Sequence, residues 1–228
     1  KGFLPWRTDK KLTYSQLKTD APTAVRSLGR GVRVSDTDTT ADLLRDAAVD
    51  FLGGRAGRDR LRGWVGRPRP VDLALWRESA ALGWTAALLP EDLGGLGLGL
   101  AEAAVLAEEA GRRLYAEPLV AAAFLPALLL AAADPGAVTS ALAQTLAEGS
   151  RLLAVAWQES AGTLTLATPD CKVVDGRLTG RKRFVAGAAV NALLLVWAQC
   201  EGAPVWVAVD AQASGVNGGL MGGRQPCC

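Results

Sequence analysis

Ala147-Glu148-Gly149-Ser150-Arg151-Leu152-Leu153-Ala154-Val155-Ala156-Trp157 is the stretch where the pattern of the chain changes. Upstream of it, apolar residues recur at the three-to-four spacing of helices. From Arg151 onward they come in short runs and alternations, which is the pattern of strands. Helices followed by strands, rather than alternating with them, predict an α+β chain with the two kinds of element segregated.

Working back from that switch, helices are predicted over 137–147, 119–133, 99–113, 70–82 and about 39–52. The first has Leu43, Leu44, Ala47, Ala48, Phe51 and Leu52 at inward spacing, and Gly53-Gly54 stops it. Pro70 opens the second, which carries Leu73, Leu75, Trp76, Ala80 and Leu82. In the third, Ala104, Val105 and Ala110 are expected inside, with Glu102, Glu108 and Glu109 wet. The Arg-rich connector 55–69 has one aromatic, Trp64, rather than aromatics interleaved among its arginines, and reads as a solvated loop. Working forward, strands are predicted over 152–157, 164–167, 172–174, 177–179, 193–198 and 205–209. Asp175-Gly176 between two of them is the strongest hairpin signal in the chain.

The ends are less patterned. Residues 1–36 are polar and without period, and read as a poorly ordered extension or, alternatively, one further helix. Residues 217–228 form an irregular tail. With no initiator Met and Met221 the only one, the ends read as those of a fragment.

Composition excludes several classes. A net charge of +2 gives no reason to expect a nucleic acid or an anionic membrane as partner. The absence of His removes His-based metal sites, triads and general bases. Four Cys at 171, 200, 227 and 228 form neither a metal set nor a disulfide framework, so a reducing cytoplasm is the default. The most apolar run, 119–133, is interrupted by Pro126 and is shorter than the ~20 residues a bilayer core requires, so no membrane span is expected.

Gly94-Gly95-Leu96-Gly97-Leu98-Gly99 invites a phosphate-binding reading. It has no following Lys-Ser or Lys-Thr and does not sit between a strand and a helix of a βαβ unit. A tight loop between helices is the better expectation.

The combination of motifs is more informative. Trp76 to Trp84 ends in Leu82-Gly83-Trp84, Pro90-Glu91-Asp92-Leu93-Gly94-Gly95-Leu96-Gly97 follows, and Glu108-Glu109-Ala110-Gly111 comes next. In that order these resemble the helical N-terminal domain of acyl-CoA dehydrogenases. Leu178-Thr179-Gly180-Arg181-Lys182-Arg183-Phe184-Val185-Ala186, followed by Ala192 to Ala198, resembles the family's middle β domain. The resemblance implies a helical domain over 37–150 and an incomplete, small antiparallel β-barrel domain over 151–216.

It also implies FAD as cofactor, with two segments against the flavin. The first is Trp157, Gln158 and Glu159, where the family commonly has Met-Thr-Glu, so that Gln158 replaces Thr; the second is Phe184, Val185 and Ala186, where it has Trp-Ile-Thr. Trp157 and Phe184 also admit a plain reading as core aromatics. Ala186 replaces a hydroxyl residue, leaving its backbone N–H as donor. For the acyl pocket, Leu119, Val120, Ala123 and Phe124 are candidates.

The implied reaction is α,β-dehydrogenation of an acyl-CoA thioester to the trans-2-enoyl-CoA. A carboxylate takes the α-proton and a hydride goes to flavin, with an electron-transfer flavoprotein as acceptor and a homo- or hetero-tetramer as assembly. In the family the base is a Glu of the C-terminal domain, beyond the residues here. None of Glu91, Glu102, Glu108, Glu109 and Glu117 is assigned that role, and residues 1–228 alone are expected to be inactive and to bind FAD weakly. The alternative is a non-catalytic partner subunit that completes a flavin site.

Overall fold

The computed structural model describes residues 34–65, 71–161, 166, 168–188 and 191–218. Most of the expected extension, Pro70, most of the strand expected at 164–167 and the tail from 219 lie outside the described residues.

Six α-helices precede five strands: α1 (Val34–Leu52), α2 (Arg58–Arg62), α3 (Leu73–Ala81), α4 (Leu100–Arg112), α5 (Leu125–Ala131), α6 (Ala137–Ala147), then β1 (Leu152–Ala156), β2 (Lys172–Val174), β3 (Arg177–Thr179), β4 (Ala192–Cys200) and β5 (Ala203–Asp210). The switch at Arg151 is where the sequence puts it.

Helix α1 starts at Val34, ahead of the expected Thr39, so its first turn belongs to the stretch expected to be poorly ordered. Ala48 and Leu52 are buried, with Leu44 and Phe51 packed beside them, while Leu43 is 66% exposed. One helical face holds 44, 48, 51 and 52; Leu43 falls off it.

The Arg-rich connector is not simply solvated. It folds a turn, α2, from which Arg60 reaches inward. Its Nη2 donates to Glu117 Oε1 at 2.6 Å and to Asp72 Oδ2 at 3.3 Å, and its guanidinium lies 4.6 Å from the Trp64 ring centroid. Asp72 in turn caps α3, accepting from the N–H groups of Ala74 and Leu75. That cap sets the start of α3 at Leu73.

The glycine loop is a packing device. The N–H groups of Leu96, Gly97 and Leu98 donate to the carbonyls of Ala86, Leu89 and Ala87. A Cβ on Gly95 would sit 1.9 Å from Leu89 O. The loop's amides are used internally, which is the tight-loop reading and not a phosphate cradle.

In α4 the inward residues are Ala103, Leu106, Glu109 and Ala110. Ala104 is exposed and Glu109 is buried, the reverse of the expected phase. Burial of that carboxylate is matched by Arg45, Arg112 and Arg113, all within 3.9 Å. The single helix expected over 119–133 is split into a π turn, Val120–Phe124, and α5. Pro126 supplies the cause: it has no N–H for the Ala122 carbonyl and its ring crowds that oxygen, and a wider turn relieves both.

The sheet corrects the expected small antiparallel barrel. It is mixed: β4 pairs in parallel with β1 (Leu152 opposite Ala192) and, further along, with β2 (Val173 opposite Cys200), and antiparallel with β5 along its whole length. Hairpin β2–β3 turns at Asp175-Gly176, both at positive φ, as its sequence predicts. Among the described residues the outer edges of β3 and β5 carry no partner, so the sheet is open. Alternation reveals a strand but not its direction, and the long connection from Ala156 to Ala192 permits the parallel crossover.

One continuous apolar core runs from Ala48 and Leu52 through Trp76, Trp84, Leu106 and Leu146 to Leu152, Leu195 and Trp206. Among the described residues no helix is long and apolar enough to cross a membrane.

Candidate functional site

β1 is buried along all five residues, and the chain that leaves its end, Trp157-Gln158-Glu159, comes up at the margin of the core. The chain leaving β3 runs beside it. The Arg183 N–H donates to Gln158 O at 2.8 Å, and Lys182 Nζ lies 3.4 Å from Trp157 O. The two segments singled out in the sequence are therefore neighbours in the fold.

Trp157 and Val185 are half-buried, packed on the core, whereas Phe184 is 46% exposed. The described ring–ring pairs are Phe51–Trp84, Trp84–Tyr115 and Trp197–Trp206, so both site aromatics lie outside these ring pairs.

Phe184 sits at φ 54°, a left-handed backbone that costs a side-chain-bearing residue on the order of 1 kcal/mol or more. Its turn is set by Gly187, at φ 80°, where a Cβ would meet Ala122 Cβ at 3.0 Å. The absence of a side chain there lets the turn pack closely on Ala122 of the π turn. Among the described residues the N–H groups of Phe184, Val185 and Ala186 find no acceptor, so three successive amides are open there.

Glu159 plays a different part. Its Oε2 accepts from the Asp170 N–H at 2.7 Å, and its Oε1 accepts from the Cys171 N–H at 2.9 Å and from Lys182 Nζ at 2.6 Å. Burial pushes the Glu159 carboxyl up, but these donors outweigh it and hold its pKa at about 2. Burial pushes the adjacent Cys171 thiol the other way from reactivity, to about 11. Sequence reasoning alone does not single out Lys182. Its side chain is 7% exposed despite lying between two arginines, and the facing Glu159 and the Trp157 carbonyl account for that burial.

Of the acyl-pocket candidates, Leu119, Ala123 and Phe124 are buried in the core and Val120 is 58% exposed. Three of the five glutamates named in the sequence are engaged by arginines, while Glu91 and Glu102 form no ion pair among the described residues. Glu117 pairs with Arg60, Glu108 with Arg112, and Glu109 lies within its arginine cage.

An exposed phenylalanine, a half-buried tryptophan and three open amides on one pair of loops fit a flat heteroaromatic group with acceptor atoms along one edge. They do not fit a metal: among the described residues no group of three His, Cys, Asp or Glu is placed to hold one.

Comparison with known proteins agrees with the motifs. Residues 38–133 match the family described as acyl-CoA dehydrogenase, N-terminal domain. Acyl-CoA dehydrogenase IpdE2 of Mycobacterium tuberculosis is 34% identical over 164 residues, covering 72% of this chain and 46% of that protein. A solved Tcur3481-Tcur3483 steroid ACAD variant superposes with a TM-score of 0.65 at 35% identity, over 78% of this chain and 50% of that one. The acyl-CoA dehydrogenase complexed with FAD from Bacillus anthracis shares the fold, with a TM-score of 0.56 at 20% identity, over 90% of this chain and 34% of that one. The chain thus spans about half the length of the first two relatives. Residues 38–133 belong with the acyl-CoA dehydrogenase N-terminal domains, and the similarity to members of that family runs on into the strands that follow.

Proposed function

We propose that this chain supplies the helical region and one wall of the flavin site of an acyl-CoA dehydrogenase, which introduces an α,β double bond into an acyl-CoA thioester. The single observation that carries the reading is the run of three open amides at Phe184, Val185 and Ala186 beside Trp157. FAD, when bound, supplies the hydride acceptor. The chain's own part is to hold and shield: Trp157 and Val185 offer apolar surface that excludes water, and the 184–186 amides donate to the acceptor edge of the ring. Each donation favours the charge that edge carries on reduction. The backbone N–H of Ala186 serves where the family commonly has a hydroxyl.

No carboxylate in residues 1–228 is assigned as the base that takes the α-proton. The relative at 35% identity is a steroid ACAD, which makes a steroid acyl-CoA the first substrate to test. That relative carries a paired designation, and three of the five candidate glutamates, Glu108, Glu109 and Glu117, are committed to arginines. Both favour, as a second reading, a chain that completes a flavin site with a partner that brings the base.

The test is a titration of FAD into the chain, followed by flavin fluorescence. Saturable but weak binding, without bleaching on addition of an acyl-CoA, is expected. No saturable binding overturns the flavin reading; a tight yellow complex that bleaches with acyl-CoA overturns the absence of a base.

A further inference from the structure

The Lys182 side chain is almost wholly withdrawn from water, 7% exposed, and it lies two residues before the strained Phe184. A buried cationic side chain requires compensation. Here it comes from Glu159 Oε1 at 2.6 Å and from the Trp157 carbonyl at 3.4 Å. Glu159 at the same time accepts the N–H groups of Asp170 and Cys171. Three stretches of chain therefore meet on one carboxylate: the loop after β1, the segment leading into β2, and the loop after β3. The Arg183 N–H to Gln158 O bond lies immediately beside it. A left-handed Phe persists only where its surroundings over-determine it. The clamp on one side and the close packing of Gly187 on Ala122 on the other are the fixtures available.

Resting on the flavin reading above, we infer that Glu159 and Lys182 are positioning residues. They do not touch the cofactor; they hold Trp157 and the Phe184–Ala186 turn in the relative placement that the flavin requires. The carboxylate that the family pattern would put among the cofactor contacts is here turned into the protein, and it acts through the neighbours it ties together.

The experiment compares wild type with Glu159→Gln and Lys182→Met, and with Lys182→Arg as the conservative variant. FAD affinity is read by fluorescence titration, and amide exchange at Asp170, Cys171 and Arg183 is read by NMR. Circular dichroism confirms that each variant is folded. Both charge-removing variants should weaken FAD binding by about tenfold, ~1.4 kcal/mol, and Arg at 182 should recover most of it. Exchange at Arg183 and Cys171 should accelerate in the same two variants. Wild type and both variants binding FAD equally would overturn the positioning role alone. Failure of wild type to bind FAD would overturn the flavin reading and the role with it. Should neither variant fold, Lys182→Arg and Glu159→Asp carry the comparison, and wild-type affinity in the shorter Glu159→Asp would contradict the role.

Discussion

Thr85 is fully buried, and its hydroxyl finds no hydrogen-bond partner among the described residues. Burial of an unpaired hydroxyl costs more than the packing of its methyl returns. Thr85→Val should therefore stabilise the chain by about 1 kcal/mol, measured as a higher denaturant midpoint at unchanged slope. Glu159 gives a prediction in pH. Its pKa is held at about 2 against an ordinary 4.5, so the native state binds its proton less readily than the unfolded chain. The stability it contributes is complete above 4.5 and is lost as pH falls through 2. Between those limits wild type should lose stability that Glu159→Gln never had, and the two curves should converge in acid. At this scale the sequence is least legible. Trp157, Val185 and Ala186 can be named from the order of motifs, but nothing in a Glu and a Lys separated along the chain reveals that they meet.

Among the elements, the two two-residue turns show what local chemistry can and cannot say. Asp175-Gly176 and Glu201-Gly202 both take positive φ at both positions, yet only the first is readable, because Asp tolerates the left-handed region and Glu has no such preference. The split of the fourth predicted helix is legible in hindsight from Pro126. The inward turn of Glu109 and the role of Arg60 are not, since each depends on a charge brought by another helix. Arg60→Ala strands the Glu117 carboxylate, 1% exposed, without its partner and also removes a support of the α3 cap. A loss of roughly 3–5 kcal/mol is expected in equilibrium unfolding. In the glycine loop, Gly95→Ala drives a methyl into the Leu89 carbonyl. It should cost more than about 4 kcal/mol and leave little folded protein by circular dichroism.

Over the whole molecule, helices and sheet share a single apolar core, so the two layers are not independent of each other. The α+β class and the order of elements are written in the change of period at Arg151. The pairing directions of the sheet are not, because a period of two is blind to which way a neighbour runs. Packing across that core is what brings the β1 and β3 exits side by side above the π turn and leaves the 184–186 amides open. The most direct test of this account is hydrogen exchange at those three amides with and without FAD. Protection at Phe184, Val185 and Ala186 that rises with FAD occupancy is the predicted result. FAD binding that leaves those amides exchanging as before, while protecting others elsewhere in the chain, would contradict it.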